Sequence, residues 1–357
     1  MAGKRQHFIP RFLQKGFANH SVGEEIFTWT YRKGIKPFNT NIKNVGVEGF
    51  FYSENNDTSL DDTITVVESD FAQLVDSIRL NNAVDKRDQE KIARLFAHLE
   101  VRTRHLRQSY FATGNQLLNK MLEYLSDPAF CEKFIRRRII NDPSLIKDSF
   151  SKELRKRGIS QEALPTLMRL SGPFIESTMP NMLIFMAFMV AYLKKEMPAR
   201  LEQASKTGHI RALNHGLSPV VKVQRFEKLN FKIVNSDDSL LPLGDSAVVF
   251  HVCGERTFKP ILEKKDDLIA LLLPISSRQV IVGCSENYVP DFSVLRDIIA
   301  GCSLEYFIAN ENTPENEILS GIISKNSHLL TEFQMEELID SIMNEKTSNK
   351  ANSADAK

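Results

Sequence analysis

The spacing of apolar residues changes character repeatedly along the chain, and each change marks a boundary between kinds of structure. The first cluster is immediate. Phe8, Ile9, Phe12, Leu13 and Phe17 crowd around Pro10 in the stretch Gln6-His7-Phe8-Ile9-Pro10-Arg11-Phe12-Leu13. Chain ends fray unless tied down, and this cluster has the apolar surface to tie one. Ile26-Phe27-Thr28-Trp29-Thr30-Tyr31 then has the aromatic and β-branched content of a strand, which Gly34 turns toward a second strand at 35–38. Residues 45–52 predict a third strand, ended by the polar loop 53–57.

Helical spacing follows. Leu60, Ile64, Val67, Phe71, Leu74 and Ile78 step by three or four residues into one apolar stripe, with Ser59 as N-cap and Asp61 and Asp62 in the first turn. A second long helix is predicted from about Lys86 past Arg107, which places His98, Arg102 and His105 on roughly one face. The segment from Pro128 to Gly158 stays helical and turns basic, with nine Lys or Arg against four acids between Glu132 and Arg157. Further helices are predicted over 161–170 and 173–197. Beyond Ser218 the runs 220–223, 231–234, 247–252, 268–275 and 280–282 read as short strands, followed by helices over 290–309, 314–323 and 332–343. The pattern predicts an α+β fold: a small N-terminal β element (1–57), a central helical bundle (58–215) and a C-terminal, mostly antiparallel β portion with flanking helices (216–345). These form a single expected domain, 1–345, whose two β portions are placed to join, and the polar tail 346–357 is expected to be disordered.

Composition narrows the classes. With 42% apolar and 25% charged residues the chain has ordinary globular usage, and 46 basic against 45 acidic residues give a net charge of +1. That balance argues against wholesale electrostatic capture by nucleic acid or a membrane and leaves room for local patches. Cys131, Cys253, Cys284 and Cys302 are too dispersed for a zinc knuckle or a redox pair, so a reducing cytoplasm is the default. The longest apolar run, Met182–Leu193, has 12 residues where a membrane span needs about 20, so it reads as a buried core helix and no membrane partner is expected.

Four side chains stand out chemically. His7 titrates near neutrality and sits in a segment that Pro10 and its aromatic flank hold; it either passes protons or bonds a carbonyl to lock the chain end. Arg102 lies among apolar turns, so a buried partner is implied, with Glu68 or Asp237 the natural candidates; it is either a structural ion pair or a fork for a phosphate or carboxylate. Ser236-Asp237-Asp238-Ser239 ends a β run and either binds a metal, positions a nucleophile or forms an Asx turn. The basic clusters that include Arg136 and Arg137 are either a solvated face or a phosphate contact. No P-loop, dinucleotide fingerprint, nucleophile elbow or zincin motif occurs in the chain.

The opening Gln6-His7-Phe8-Ile9-Pro10…Phe17 resembles that of the proteins grouped as domain-of-unknown-function family 4238, where Gln-His-aromatic-aliphatic-Pro leads into an apolar run. Further landmarks fall in the same order: Tyr52-Ser53 before a helix carrying Glu68, Val101-Arg102-Thr103 with Arg107, the turn after Val234, and Leu272-Leu273-Pro274-Ile275-Ser276. Arg104 and Ser239 stand where that family carries proline. The resemblance implies kinship of fold over roughly residues 4–325 and names no activity.

Two functions are expected from these residues. The first is a metal-independent, nuclease-like enzyme acting on a phosphodiester or nucleotide, a phage-defence effector of bacterial type. In it His7 is general acid or base, Arg102 holds phosphate, Glu68 holds Arg102 and Asp237 orients the imidazole; Gln6, Arg107, Ser236, Arg136 and Arg137 contact substrate, no cofactor is needed and nucleic acid or nucleotide is the partner. The second is a non-catalytic interaction protein whose buried His–Arg–Glu network is structural.

Overall fold

A computed structural model describes residues 5–53, 57–136, 144–237, 239–285 and 287–344. In chain order the elements are β1 (Arg5–His7), α1 (Arg11–Gln14), β2 (His20–Val22), β3 (Glu25–Arg32), β4 (Ile35–Asn41), β5 (Val47–Gly49), α2 (Ser59–Asn81), α3 (Gln89–Arg102), α4 (Arg104–Ser126), α5 (Pro128–Ile135), α6 (Ser144–Lys156) and α7 (Leu164–His215). Then come α8 (Val220–Phe226), β6 (Asn230–Asn235), β7 (Leu243–Gly244), β8 (Val249–Val252), β9 (Phe258–Lys259), β10 (Leu268–Ser276), β11 (Gln279–Cys284), α9 (Phe292–Cys302), β12 (Tyr306–Ala309), α10 (Pro314–Ser320) and α11 (Glu332–Asn344). The fold is α+β. Met1–Phe111 with Ala204–Leu329 makes one compact unit, and Ala112–Gln203 with Leu330–Lys357 makes the other. The expected tail, 346–357, lies outside the described residues.

The first unit is built on two sheets and a two-stranded ribbon. One sheet runs β6-β11-β10-β8-β9, antiparallel throughout. Its central strand is apolar on both faces because both are covered. Leu271, Leu273 and Ile275 face the large core that contains Phe8, Ile9, Leu13, Phe17 and Phe96, while Ala270 and Leu272 face Leu295 and Ile299 of α9. Pro274 is tolerated in this strand because it lies past the residues paired with β8 and at a register shift against β11. The second sheet runs β2-β3-β12-β7, with β4 also paired to β3. Here the two β portions of the sequence join, since β12 and β7 come from the C-terminal half and β3 from the start.

The N-terminal cluster is packed as its composition demands. Phe8, Ile9, Phe12, Leu13 and Phe17 are all buried, each worth about 1.5–3 kcal/mol of apolar transfer. Gly16 lets this segment touch the β10–β11 hairpin: a Cβ there would fall 2.0 Å from the Ile275 carbonyl oxygen, and the Gly16 carbonyl accepts the Ser277 amide at 3.1 Å.

Several expected elements differ, each for a local reason. Residues 220–223 form the start of α8 and not a strand, because Pro219 opens a helix whose Val223 and Phe226 turn inward. The helix expected over 290–309 stops at Cys302. Ser303 is extended and bonds back to Ile299, and the next amides are claimed by the Asp245 carboxylate, so 306–309 is free to pair as β12. The helix expected from Lys86 past Arg107 breaks at Thr103, which is extended (ψ 149°); His105 therefore belongs to α4, not to the face of α3 that carries His98 and Arg102. The helices expected over 161–170 and 173–197 are one continuous α7.

The second unit holds most of α7 with α5, α6, α11 and the later turns of α4. Helix α7 keeps its course through Pro173, Pro180 and Pro198, each of which removes one backbone N–H donor. Ile175 and Met179 pack against Cys131 and Ile135 of α5. The run Met182–Leu193 is not the buried core helix that its composition suggested. Within it only Val190 is buried, and Ile184, Phe185 and Phe188 are 60–70% exposed.

Candidate functional site

The site grows from the ribbon of β1 and β5, in which Gln6 lies opposite Glu48 and His7 opposite Val47. Gly46 permits that pairing. Its φ of +63° suits glycine, a Cβ there would fall 2.8 Å from that of Ile9, and its carbonyl accepts the Phe8 amide at 2.7 Å. Gln6 is fully buried, donates from Nε2 to Ser53 Oγ at 2.8 Å and accepts the Tyr52 amide on Oε1 at 2.6 Å. The Tyr52 ring is thereby fixed beside the last residue of α3.

That residue is Arg102, the largest fully buried side chain among the described residues at 2% exposure. Its Nε donates to Tyr52 Oη at 2.7 Å, Nη2 donates to the His7 carbonyl, and Nη1 is paired with the carboxylate of Glu68 from α2. A guanidinium out of water is stable only when its charge is matched and its N–H groups are bonded. Here one carboxylate, one phenol and one backbone carbonyl do both. The Tyr52 hydroxyl also lies 3.3 Å from the His7 carbonyl, and burial pushes its pKa up to about 12, so it stays a phenol.

His7 presents its Nδ1 3.2 Å from the Val45 carbonyl, which also accepts from Gln14 Nε2 at 3.1 Å. A carbonyl only accepts, so Nδ1 carries the proton and Nε2 is the lone-pair nitrogen. Burial, reinforced by the cations of Arg11 and Arg102, lowers the pKa of His7 to about 4. It is neutral at physiological pH. His209, from the end of α7, places Nε2 2.7 Å from the Val101 carbonyl and its ring edge against Phe51; burial lowers it too, to about 4.

A second set of ion pairs adjoins the first. Arg107 donates to Glu48 Oε1 at 2.6 Å, with its guanidinium 4.2 Å from the centre of the Phe51 ring. Arg104 reaches Glu48 at 3.2 Å and Glu305 at 2.7 Å. The guanidinium groups of Arg102, Arg104 and Arg107 thus face the carboxylates of Glu68, Glu48 and Glu305.

The structure therefore brings together Gln6, His7, Glu68 and Arg102, with Arg107 one contact away. Ser236 and Asp237 lie elsewhere, in an open cleft of about 460 Å³ shared with Asn82, Arg278 and Gln279. Asn82 caps α2 14 positions beyond Glu68, about 21 Å at the helical rise of 1.5 Å per residue. The role expected for Asp237, orienting the His7 imidazole, falls to Val45. Ser236 Oγ bonds the backbone of Ser239, and the Asp237 carbonyl accepts from Arg278 Nη1 at 2.6 Å, so these residues form a local turn. Asp238 lies outside the described residues. Arg136 pairs with Glu132 at 2.7 Å and with Glu176 in the second unit; Arg137 lies outside the described residues.

Sequence reasoning missed Glu48, Arg104 and Glu305. They are ordinary surface-type charges in their local stretches, and only β1–β5 pairing and the C-terminal segment bring Glu48 and Glu305 to the arginines of α4. It also missed a groove of about 610 Å³ between α2, α3 and α8, where Phe71, Leu217 and Val223 face Asp70 and Lys91.

With this geometry in view, the sequence model of the family described as "Protein of unknown function (DUF4238)" matches residues 5–292. The chain belongs to DUF4238. No curated protein and no solved structure matches it. The matched span contains His7, Glu68, Arg102 and the Ser236 turn, and it ends at the first residue of α9. Strand β12, which completes the sheet around β3 in this DUF4238 protein, lies beyond it.

Proposed function

We propose that this DUF4238 protein is a non-catalytic interaction protein, and that its His–Arg–Glu network is a structural lock on the N-terminal segment. One observation carries the reading: the Arg102 guanidinium is committed on all three nitrogens, to Tyr52, to the His7 carbonyl and to Glu68. A phosphate-holding arginine must present an edge of N–H donors to an incoming oxyanion, whereas this guanidinium is only 2% exposed and each of its nitrogens already faces a protein partner. The matched charges of the adjoining pairs support the same conclusion, since an anion entering there would have to displace a carboxylate. His7 supports it as well. Its Nδ1–H is spent on Val45, and with a pKa lowered to about 4 its Nε2 carries no proton to give a leaving group at pH 7. The groove between α2, α3 and α8, apolar with a charged rim, fits a binding role.

The test compares the purified protein with its His7→Gln and Arg102→Lys variants. Each is incubated with single- and double-stranded DNA, RNA and nucleoside triphosphates, with and without divalent cations, and melted in parallel. The reading expects no turnover by any form and lower melting temperatures for both variants. Cleavage by the wild type that His7→Gln abolishes at an unchanged melting temperature would overturn it in favour of a nuclease-like effector of phage defence.

A further inference from the structure

Helix α7 is apolar on two opposite sides, and only one of them is covered. Ile175, Met179 and Val190 are buried, the first two against α5. On the other side Leu170, Phe174, Ile184, Phe185, Phe188 and Tyr192 are 44–70% exposed. With Ser177 and Asn181, positions 170, 174, 177, 181, 184, 188 and 192 advance by three or four residues, so they share one face over about 33 Å of helix. A helix apolar all round is normally buried all round.

We infer that this face pairs with the same face of a second copy of the chain, so that the protein is a two-fold dimer through α7. Three observations select that occupant. The first is area. Large apolar and aromatic side chains carry about 150–250 Å² each, so six of them at roughly 60% exposure supply about 700 Å² per copy, or about 1,400 Å² for a pair, within the range of a stable interface. The second is charge. The face must be complementary to itself, and between Glu176 and Lys194 the chain carries no charged residue, so a two-fold axis there opposes no like charges. The third is spacing: a three–four repeat is the pattern that two helices use to interdigitate, and the lone Asn181 within it is a register-fixing device in such seams.

A bilayer is the competing occupant, because by length and composition this is the one described helix apolar enough to cross a membrane, with 17% of its most apolar window buried. The surroundings disfavour it. The uncharged stretch 177–193 spans about 26 Å against a hydrocarbon core of about 30 Å. Arg136 of α5 is bonded to Glu176 at its border and to Glu132, and insertion would draw that ionic cluster into lipid.

The experiment is sedimentation velocity of the full chain from 1 to 100 µM, with flotation on phosphatidylethanolamine–phosphatidylglycerol vesicles in parallel. The inference expects a species of twice the chain mass that Ile184→Asp and Phe188→Glu each convert to monomer without lowering the melting temperature of the monomeric fold. Phe188→Leu is expected to stay dimeric. A wild type that is monomeric at 100 µM overturns the inference, and vesicle binding lost in Phe188→Glu would then assign the face to lipid. A dimer that survives both charged substitutions overturns it too.

Discussion

Removing Arg102 should expose how much the buried network holds. In Arg102→Ala the Glu68 carboxylate, 19% exposed, loses its counter-charge, while Tyr52 Oη and the His7 carbonyl lose their donors. Breaking a buried pair from one side costs about 3–5 kcal/mol because the remaining charge stays desolvated. The paired replacement Arg102→Met with Glu68→Leu removes both charges and leaves two hydrogen bonds unmade, at about 1 kcal/mol each. The double variant should therefore lie about 2 kcal/mol below wild type, which is less damaged than Arg102→Ala alone. Glu68→Ala, stranding the cation, should cost about as much as Arg102→Ala. The chain has a single tryptophan, Trp29, on β3 in the same unit as Arg102. Urea unfolding followed by its fluorescence reports the relevant transition, read as a shift of midpoint at constant slope. A loss below about 1 kcal/mol for Arg102→Ala, or single-variant losses that simply add in the double, would refute the view that this pair is desolvated and mutually dependent.

Acid should unfold the first unit early. His7, His98 and His209 are lowered to about 4 and His105 to about 3, all chiefly by burial, from an ordinary value of 6.5. The folded state binds fewer protons, so the stability these groups allow is intact above pH 6.5 and lost as pH falls toward 4, by about 2 kcal/mol per histidine at pH 5; a melting temperature unchanged between pH 7.5 and pH 5 contradicts this. His98→Asn, which keeps a donor for the Leu217 carbonyl, should flatten that dependence by about one proton in the same titration. Asp245→Asn should lower the melting temperature, because the carboxylate accepts the amides of Leu304, Glu305 and Tyr306 at 2.7, 2.7 and 3.2 Å and an amide leaves one or two of them facing a donor, at about 2 kcal/mol or more. Gly16→Ala should destabilise by about 1–3 kcal/mol, since the tightest clash is with the Ile275 backbone, which cannot swing aside as the neighbouring Arg79 side chain can; a wild-type urea midpoint would show that the hairpin yields.

What the sequence made legible is what local patterning governs. The buried N-terminal cluster, the stripe of α2 and the apolar β10 follow from composition and period, and the cost of burying an unpaired guanidinium implied a partner for Arg102, with Glu68 and Asp237 both candidates until the fold placed Glu68 there. Composition misled where a neighbour decides the outcome. Met182–Leu193 has the content of a core helix, yet its exposure depends on whether anything covers its second face, which no period can state. Residues 306–309 extended a helical pattern until Asp245, 60 residues upstream, took the amides that would have continued it.

The network itself explains why its outer members were invisible. Glu48 sits in a short β ribbon, Arg104 and Arg107 begin a helix, and Glu305 follows a helix end; none of these local settings calls for a charge partner. They are drawn together because β1 must pair with β5 to seal Phe8 and Ile9, and because β12 must reach β3 to close the second sheet. Backbone pairing delivers Glu48 and Glu305 beside α4, and the arginines there neutralise them. On this view the arginines answer a problem that folding creates. That is why their N–H groups are turned inward to carboxylates and a carbonyl, the arrangement on which the proposed structural lock rests.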